Sequence, residues 1–305
     1  MVLIISNDDD YSTSQVIRWL IQLKAEFLRI NSASKIKVLD LRNNDFRFIY
    51  QNSIFSLSDF SSVWYRRGNI NFELLNESEY IIYENREIKN HIYRLLHEKK
   101  HINTFFNSSI NKLFVLSYNN FQFVRLPEFC ITQSKNIALD FFKKHKGQVL
   151  SKPIFTPFKT NMEDSILMAY TAKLALKDIE SINDEFVPTF FQKYENKRFE
   201  IRAFYLDGSF YSMCIFSQKN EKTRVDFRNY DSETPNRSTP FKLPKNIEDD
   251  LDTMFKYFKL DCASIDIIYN KDGYHLIDVN PIGQFGMVSY PCNYSLEKKI
   301  AEFLI

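Results

Sequence analysis

Apolar positions follow two rhythms along the chain. Val2–Ser6 reads as a short buried strand, and Ser12 with Gln15 forms a capping box. Val16, Leu20, Leu23 and Phe27 then fall on one helical face. Lys35–Leu41 and Ser62–Arg66 are expected as the second and third strands, so this β-α-β opening predicts a small parallel sheet. A long helix is predicted from Asn76 to about Lys100, with Ile81, Ile88, Ile92 and Leu95 on one stripe. Further elements are expected at Ser109–Tyr118 (helix), Glu128–Thr132 (strand), from Ser134 to Lys146 (helix) and Gln148–Ile154 (strand). The second half alternates apolar and polar residues between tight turns. Phe199–Tyr205 and Phe210–Phe216 flank Asp207-Gly208, a hairpin signal. Ile247–Leu260 has the pattern of an amphipathic helix, and Ser264–Tyr269 with Tyr274–Val279 forms a last hairpin.

Composition narrows the function classes. The chain has 305 residues, enough for two or three subdomains. With 44% hydrophobic and 26% charged residues it is expected to fold. Lys+Arg 40 against Asp+Glu 38 gives a net charge of +2, which argues against a dedicated nucleic-acid or membrane-surface binder. MVLIISNDDD does not read as a signal peptide, no apolar run is long enough to span a bilayer, and the four scattered cysteines form no C-x-x-C pair. A reducing cytoplasm is the expected location. Six glycines contain neither a Walker loop nor a dinucleotide fingerprint.

The last hairpin carries the sharpest chemistry. A three-residue loop with Gly273 in the left-handed position would pair Asn270 with Tyr274 and bring Asp266 opposite Asp278. Asn280 lies two residues on, hence on the same face. Two carboxylates at that distance repel, and a divalent cation with oxygen ligands, Mg²⁺ above all, removes the conflict. A solvated polar face of an ordinary hairpin has the same pattern. Upstream, Lys152 ends an apolar strand before Pro153 and could hold a phosphate; Lys112 opens a helix. Glu200 and Arg202 share a strand face, where Arg202 could clamp a phosphoryl group or pair with Glu200. Phe190-Phe191-Gln192-Lys193-Tyr194 could stack an adenine or simply pack a core. Ser217–Lys245, with Arg224, Arg228 and Arg237, has the length and charge of a lid or binding loop.

Taken in order, these pieces resemble the ATP-grasp superfamily: Asn111-Lys112, Pro127–Thr132, Ser151-Lys152-Pro153, Thr189–Tyr194, Glu200-x-Arg202, Asp266, and Asp278-x-Asn280-Pro281. Val63-Trp64-Tyr65-Arg66-Arg67, Val225-Asp226-Phe227-Arg228, Gly283-Gln284-Phe285 and Cys292-Asn293-Tyr294 are similar to segments of grasp-with-spasm peptide maturases, relatives of the microviridin-type graspetide synthetases. The resemblance implies an α/β (α+β) fold with a pre-ATP-grasp domain over 1–108, a central subdomain over 109–188 and a C-terminal grasp domain over 189–305. It implies ATP and Mg²⁺ as cofactors. Lys112 and Lys152 would contact phosphates, and Gln192, Lys193, Tyr194 and Glu200 would line the nucleotide. Arg202 and Arg228 would serve catalysis, while Asp266, Asp278 and Asn280 would hold the metal. Arg66, Arg67, Arg224 and Arg237 are the candidates for substrate contacts. The implied partner is a ribosomally made precursor peptide with leader and core, whose Asp or Glu side chains become acyl phosphates and are joined to Ser, Thr or Lys. A radical-SAM SPASM partner enzyme and a homodimer are compatible with it. Two departures from the wider superfamily stand out: Asp278 replaces a frequent Glu, and Lys193 replaces a frequent acid.

Three rival readings remain at this level. One is an ATP-grasp ligase of a small amino acid or a protein tail, as in ribosomal glutamate ligases. Another is a non-catalytic binder that kept the fold. The last is a zinc protease, because His97-Glu98-Lys99-Lys100-His101 matches H-E-x-x-H; it needs both histidines on one helix.

Overall fold

The structure is a computed structural model that describes residues 1–42, 44–74, 78–154, 159–162, 165–168, 171–218, 233 and 235–305, with the backbone alone for 159–162 and 165–168. The N-terminal third contains β1 (Val2–Ser6), α1 (Tyr11–Gln22), β2 (Phe27–Asn31), β3 (Lys35–Arg42), β4 (Asp45–Tyr50), β5 (Ser53–Ser56), β6 (Ser62–Tyr65), β7 (Asn71–Phe72), α2 (Glu79–His97) and β8 (Lys100–Ile102). A parallel sheet of order β2-β1-β6-β8 forms its centre. Every residue of β1 is buried, as expected for a parallel strand covered on both faces.

Three expectations are corrected here. The parallel neighbour of β1 is β2 and not Lys35–Leu41, because α1 ends at Gln22 and Phe27 pairs with Val2. Lys35–Arg42 belongs instead to a second sheet of order β5-β4-β3-β7. The helix cap is Asp10, whose Oδ1 accepts from the Thr13 amide at 3.3 Å, so the helix begins before Ser12. Finally, α2 stops at His97 and His101 lies in β8, so the two histidines do not share a helix. The expected start of α2, Asn76, lies outside the described residues. His101 instead faces Asp261 at 3.4 Å, and among the described residues no group of three or more His, Cys, Asp or Glu is placed to hold a metal.

The middle of the chain holds α3 (Lys112–Leu116), β9 (Val124–Arg125), β10 (Phe129–Ser134), α4 (Lys135–Lys144), β11 (Val149–Ser151), β12 (Lys159–Met162), β13 (Ser165–Met168), β14 (Ala172–Lys173), α5 (Leu176–Glu180) and β15 (Glu185–Lys193). Its antiparallel sheet has the order β10-β15-β11-β14, with β12 and β13 paired separately. Ala138 of α4 and Ile179 of α5 pack with Val149 and Phe191 in its core. The last third holds β16 (Phe199–Leu206), β17 (Ser209–Phe216), β18 (Arg237–Phe241), α6 (Lys245–Tyr257), β19 (Cys262–Asn270), β20 (Gly273–Asn280), α7 (Gly286–Cys292) and α8 (Leu296–Leu304). Its sheet runs β18-β17-β16-β19-β20-β9.

The two faces of that sheet have different roles. Ile201, Ala203, Tyr205, Ala263, Ile265 and Ile267 pack against Leu251, Met254 and Phe255 of α6. Phe204 and Leu206 instead join Val2, Ile4, Val16, Leu20 and Trp64 of the N-terminal third in a single core, with Leu296, Ile300 and Leu304 of α8. Asn103 reinforces this junction. Its Nδ2 donates to the carbonyls of Cys262 and Pro281, and its Oδ1 accepts from the amides of Asp261 and Cys262. Among the described residues no helix is long and apolar enough to cross a membrane.

Asp250 of α6 fixes the outer edge of the sheet. Its Oδ2 accepts from the amides of Gln122, Phe123 and Val124 at 3.0, 2.6 and 2.9 Å, which sets β9 beside β20. Hydrogen bonds to a buried charged acceptor are worth more than neutral ones, and their loss strands three amides. Asp250→Ala is expected to lower unfolding stability by about 3 kcal/mol. Asp249→Ala, which removes only a solvent-exposed pair with Lys245, should leave the midpoint of the same urea titration essentially unchanged.

Candidate active site

Three charged residues stand in one row across adjacent strands. Arg202 on β16 is opposite Asp266 on β19, and Asp266 is opposite Asp278 on β20. Opposed side chains share a face, so the row lies on the face of the sheet away from α6. Asn280, opposite Ser264, follows on that face. Arg202 does not pair with Glu200: its Nη1 donates to Asp266 Oδ1 at 2.7 Å. Glu200 takes Lys197 at 2.6 Å and Ser217 at 2.8 Å, and burial pushes its carboxyl pKa up against both partners.

The register of the last hairpin arises differently from the sequence-based expectation. The turn has two residues, since Asn270 pairs with Gly273 and Tyr269 with Tyr274. Gly273, at φ +115°, occupies a conformation that suits glycine. This shorter turn alone would misalign Asp266 and Asp278 by one residue. A bulge beside Asp266, with Ile277 as the extra residue, restores the opposition. The carbonyl of Ile277 accepts from Lys152 Nζ at 3.4 Å. Lys152 follows β11 and also lies over the Phe190 ring, so it links the central sheet to the bulge. Lys112, the first residue of α3 behind its Asn111 cap, pairs with Asp278 at 3.3 Å.

The expected nucleotide strip lies along β15 and just beyond it. Gln192 is buried between Leu150 and Phe129, and its Oε1 has no hydrogen-bond partner. Tyr194 is buried beneath the Lys173 ammonium. The Lys193 amide donates to the Glu128 carbonyl, while its ammonium pairs with Glu195 at 2.9 Å. Glu195 and His275 were not legible as site residues in the sequence. Both are buried, and Glu195 also accepts from Asn270 at 3.4 Å. Lys197 was missed as well; its side chain is only 2% exposed. The K-x-x-E spacing from Lys197 to Glu200 was the signal that could have found it.

The four arginines expected at substrate separate. Arg66 is not on an open surface. It is 2% exposed, pairs with Asp10 at 3.1 Å and donates to the carbonyls of Ile282 and Gly283. Trp64 is buried beside it. This departs from the expectation of a substrate contact at Arg66: the apolar strand β6 carries it into the junction with the C-terminal sheet. Arg67 is half-buried. Arg237 starts β18 over the Phe216 ring, exposed to solvent. Arg224 and Arg228 lie outside the described residues.

The donor set fits a hard divalent cation. Asp266, Asp278 and Asn280 offer side-chain oxygens, and one or two carboxylates beside nucleotide phosphates are the usual Mg²⁺ ligand set. An anionic ligand is also accommodated, because Arg202 Nε is a buried donor without an acceptor. Arg202 and Lys112 thus each pair with one of the two carboxylates, and Lys152 reaches the Ile277 carbonyl beside them.

No protein-family model matches the sequence, and no curated protein does. Solved structures do match over the full length. A RiPP-associated ATP-grasp ligase of Chryseobacterium gregarium, in complex with ADP and a leader and core peptide, shares 22% identity over 99% of this chain and 94% of its own, with a TM-score of 0.80. The chain has the ATP-grasp fold. The macrocyclase MdnC of Microcystis aeruginosa MRC, bound with its precursor peptide MdnA, is 21% identical over 100% of this chain and 99% of its own, with a TM-score of 0.78. An ATP-grasp RimK domain protein of Sphaerobacter thermophilus, 10% identical over 100% and 99%, superposes less well, at 0.52. The charged row lies in the sheet β18-β17-β16-β19-β20-β9, while Gln192 lies in the central sheet and Lys152 directly follows its strand β11.

Burial holds the His275 imidazole pKa below its ordinary value of about 6.5, with Glu195 opposing the shift. The folded protein therefore favours the neutral ring. The corresponding stability is intact above the unfolded pKa and is lost as pH falls toward the lower folded value. Thermal unfolding of the wild type should show this loss between about pH 7.5 and pH 5.5, and His275→Gln should show a shallower one. Equal slopes would mean that His275 titrates alike in both states.

Proposed function

We propose that this ATP-grasp protein is a ligase that modifies a ribosomally made precursor peptide. It activates Asp or Glu side chains as acyl phosphates and joins them to Ser, Thr or Lys side chains of the same peptide, closing ω-ester or ω-amide rings. The observation that carries this reading is the charged row Arg202–Asp266–Asp278 with Lys112 on its acid end and Lys152 at its bulge. Full-length similarity to a precursor-bound macrocyclase and to a ligase holding leader and core peptide supports the substrate class. A glutamate-ligase-like activity has weaker support, since the RimK domain protein superposes at 0.52 against 0.80. In this reading residues 1–108, 109–188 and 189–305 are the pre-ATP-grasp, central and C-terminal domains of a cytoplasmic enzyme, with the second boundary moved past β15 (Glu185–Lys193), whose residues 189–193 pair with β10 and β11 of the central sheet. A homodimer and a SPASM partner enzyme remain part of the proposal.

The residues divide the chemistry among them. A carboxylate is a poor electrophile, and phosphorylation gives it a leaving group. In-line phosphoryl transfer needs positioning and charge neutralisation more than covalent assistance. Lys152 and Lys112 supply point charges at the two edges of the site, and the planar Arg202 guanidinium can grip two phosphoryl oxygens. Asp266, Asp278 and Asn280 would hold Mg²⁺, which screens phosphate charge when bound. Gln192 to Tyr194 and Glu195 would line the nucleoside. Arg224, Arg228 and Arg237 are suited by charge to guide an acidic peptide. Peptide-dependent attack then releases phosphate and one water is lost overall per ring.

Incubating the protein with ATP, Mg²⁺ and a precursor peptide encoded beside its gene tests the reading. Mass loss of one water per ring is the expected result, and an unchanged peptide with ADP release on free glutamate would favour the ligase alternative. Asp278→Ala and Asn280→Ala should each lower peptide-dependent ADP release on the order of a hundredfold while the fold survives. Arg202→Lys should lose about tenfold or more, since an ammonium cannot make a forked contact. Near-normal turnover in that variant would reassign Arg202 to holding Asp266.

A further inference from the structure

The segment leaving the metal strand is held in an unusual way. Four successive carbonyls, from Pro281 to Gln284, each accept a hydrogen bond from a side chain elsewhere in the chain. Asn103 Nδ2 holds Pro281 at 2.5 Å. Arg66 Nη1 holds Ile282, and Gly283 at 2.9 Å. Ser264 Oγ holds Gln284 at 2.7 Å. Within the segment the Gly283 amide returns to the Asn280 carbonyl at 3.0 Å, and the Ile282 amide donates to Asn280 Oδ1 at 3.1 Å. The turn is closed against Cys262 and Phe204: at Gly283, φ +64°, an added Cβ would lie 2.7 Å from Cys262 Sγ.

Arg66 is the centre of this clamp. It extends from the end of β6 in the N-terminal third, anchored by Asp10, which also caps α1 through its other oxygen. Its guanidinium lies near the rings of Trp64 and Phe285, with centroids 5.9 and 5.3 Å away. A buried guanidinium is retained only where its donors are used; here Nε goes to the Asp10 carboxylate and Nη1 to the carbonyls of a turn that contains no charge. The residue whose amide oxygen that turn orients is Asn280. An amide oxygen has two lone pairs, so Asn280 Oδ1 can accept from Ile282 and still face a cation.

We propose that Arg66 is a positioning residue for the metal site: by fixing the Asn280–Gly283 turn it sets the Asn280 amide oxygen beside Asp266 and Asp278, and so makes cation affinity depend on the N-terminal domain. The inference rests on the metal role proposed above for Asp266, Asp278 and Asn280. Lysine at position 66 keeps the charge opposite Asp10 but cannot reach Asp10 and two carbonyls at once, because it lacks the fork. Asp10→Asn is the milder perturbation. It keeps an oxygen for the helix cap and removes the charge that aligns Arg66.

The test is binding of Mn²⁺, a paramagnetic substitute for Mg²⁺, to the full chain with saturating ADP, followed by electron paramagnetic resonance. ADP binding without divalent cation is measured in parallel. Arg66→Lys should weaken Mn²⁺ about tenfold, and Asp10→Asn about threefold, with cation-free ADP affinity unchanged in both. A purely structural role would move the melting temperature, or both affinities together, and leave no selective loss of Mn²⁺. If Arg66→Lys does not fold, Asp10→Asn decides alone. Unchanged Mn²⁺ affinity in a folded variant overturns the positioning role. Asn280→Ala with wild-type Mn²⁺ affinity would instead remove the metal reading itself, and the positioning role with it.

Discussion

Two carboxylates facing each other on neighbouring strands repel, and the architecture around Asp266 and Asp278 is organised by that constraint. Each acid is given a cation from a different part of the chain. Arg202 comes from the adjacent strand of the same sheet, and Lys112 from a five-residue helix more than a hundred residues upstream of Asp278. Lys152 arrives from the central sheet and reaches the bulged backbone beside the rung that the two acids share. The balance makes the acids tolerable without removing them from the reach of a ligand.

The bulge at Ile277 connects this electrostatic arrangement to backbone geometry. A two-residue turn is a favourable closure for the hairpin, yet it offsets the strands by one position. One extra residue in β20 corrects the offset between Ile267 and Asp266. It also leaves the Ile277 carbonyl available to Lys152 rather than to a ladder partner. Turn, register and the Lys152 contact are thus one device. Beneath them, Ile265, Ile267, Leu276 and Val279 keep the opposite face apolar against α6, so a further slip would expose these residues.

The other end of the hairpin depends on the N-terminal third. A continuous core from Val2 and Leu20 through Leu304 to Phe204 joins the two, and its polar counterpart is the Arg66 and Asn103 clamp on residues 281–283. Close packing and these hydrogen bonds tie the segment that follows Asn280 to the N-terminal third.

The chain's local signals were sufficient for much of this. Asp207-Gly208 marked a hairpin, the periodicity of Ile247–Leu260 marked α6, and strand alternation placed Asp266 and Asp278 on one face, because each depends on neighbours a few residues away. Where competing local solutions existed, tertiary structure chose. Phe27 fits a helical stripe and a strand equally well, and pairing with Val2 made it a strand. Arg66 fits a surface as well as an interior, and the carbonyls of Ile282 and Gly283, more than two hundred residues away, drew it inside. Asp266 and Asp278 met as counted, but through a shorter turn and a bulge that no spacing rule contains. Sequence by itself determined which side chains the sheet would present and in what order. Only packing between distant segments decided which charges were buried, because desolvation and partner geometry are properties of the whole fold.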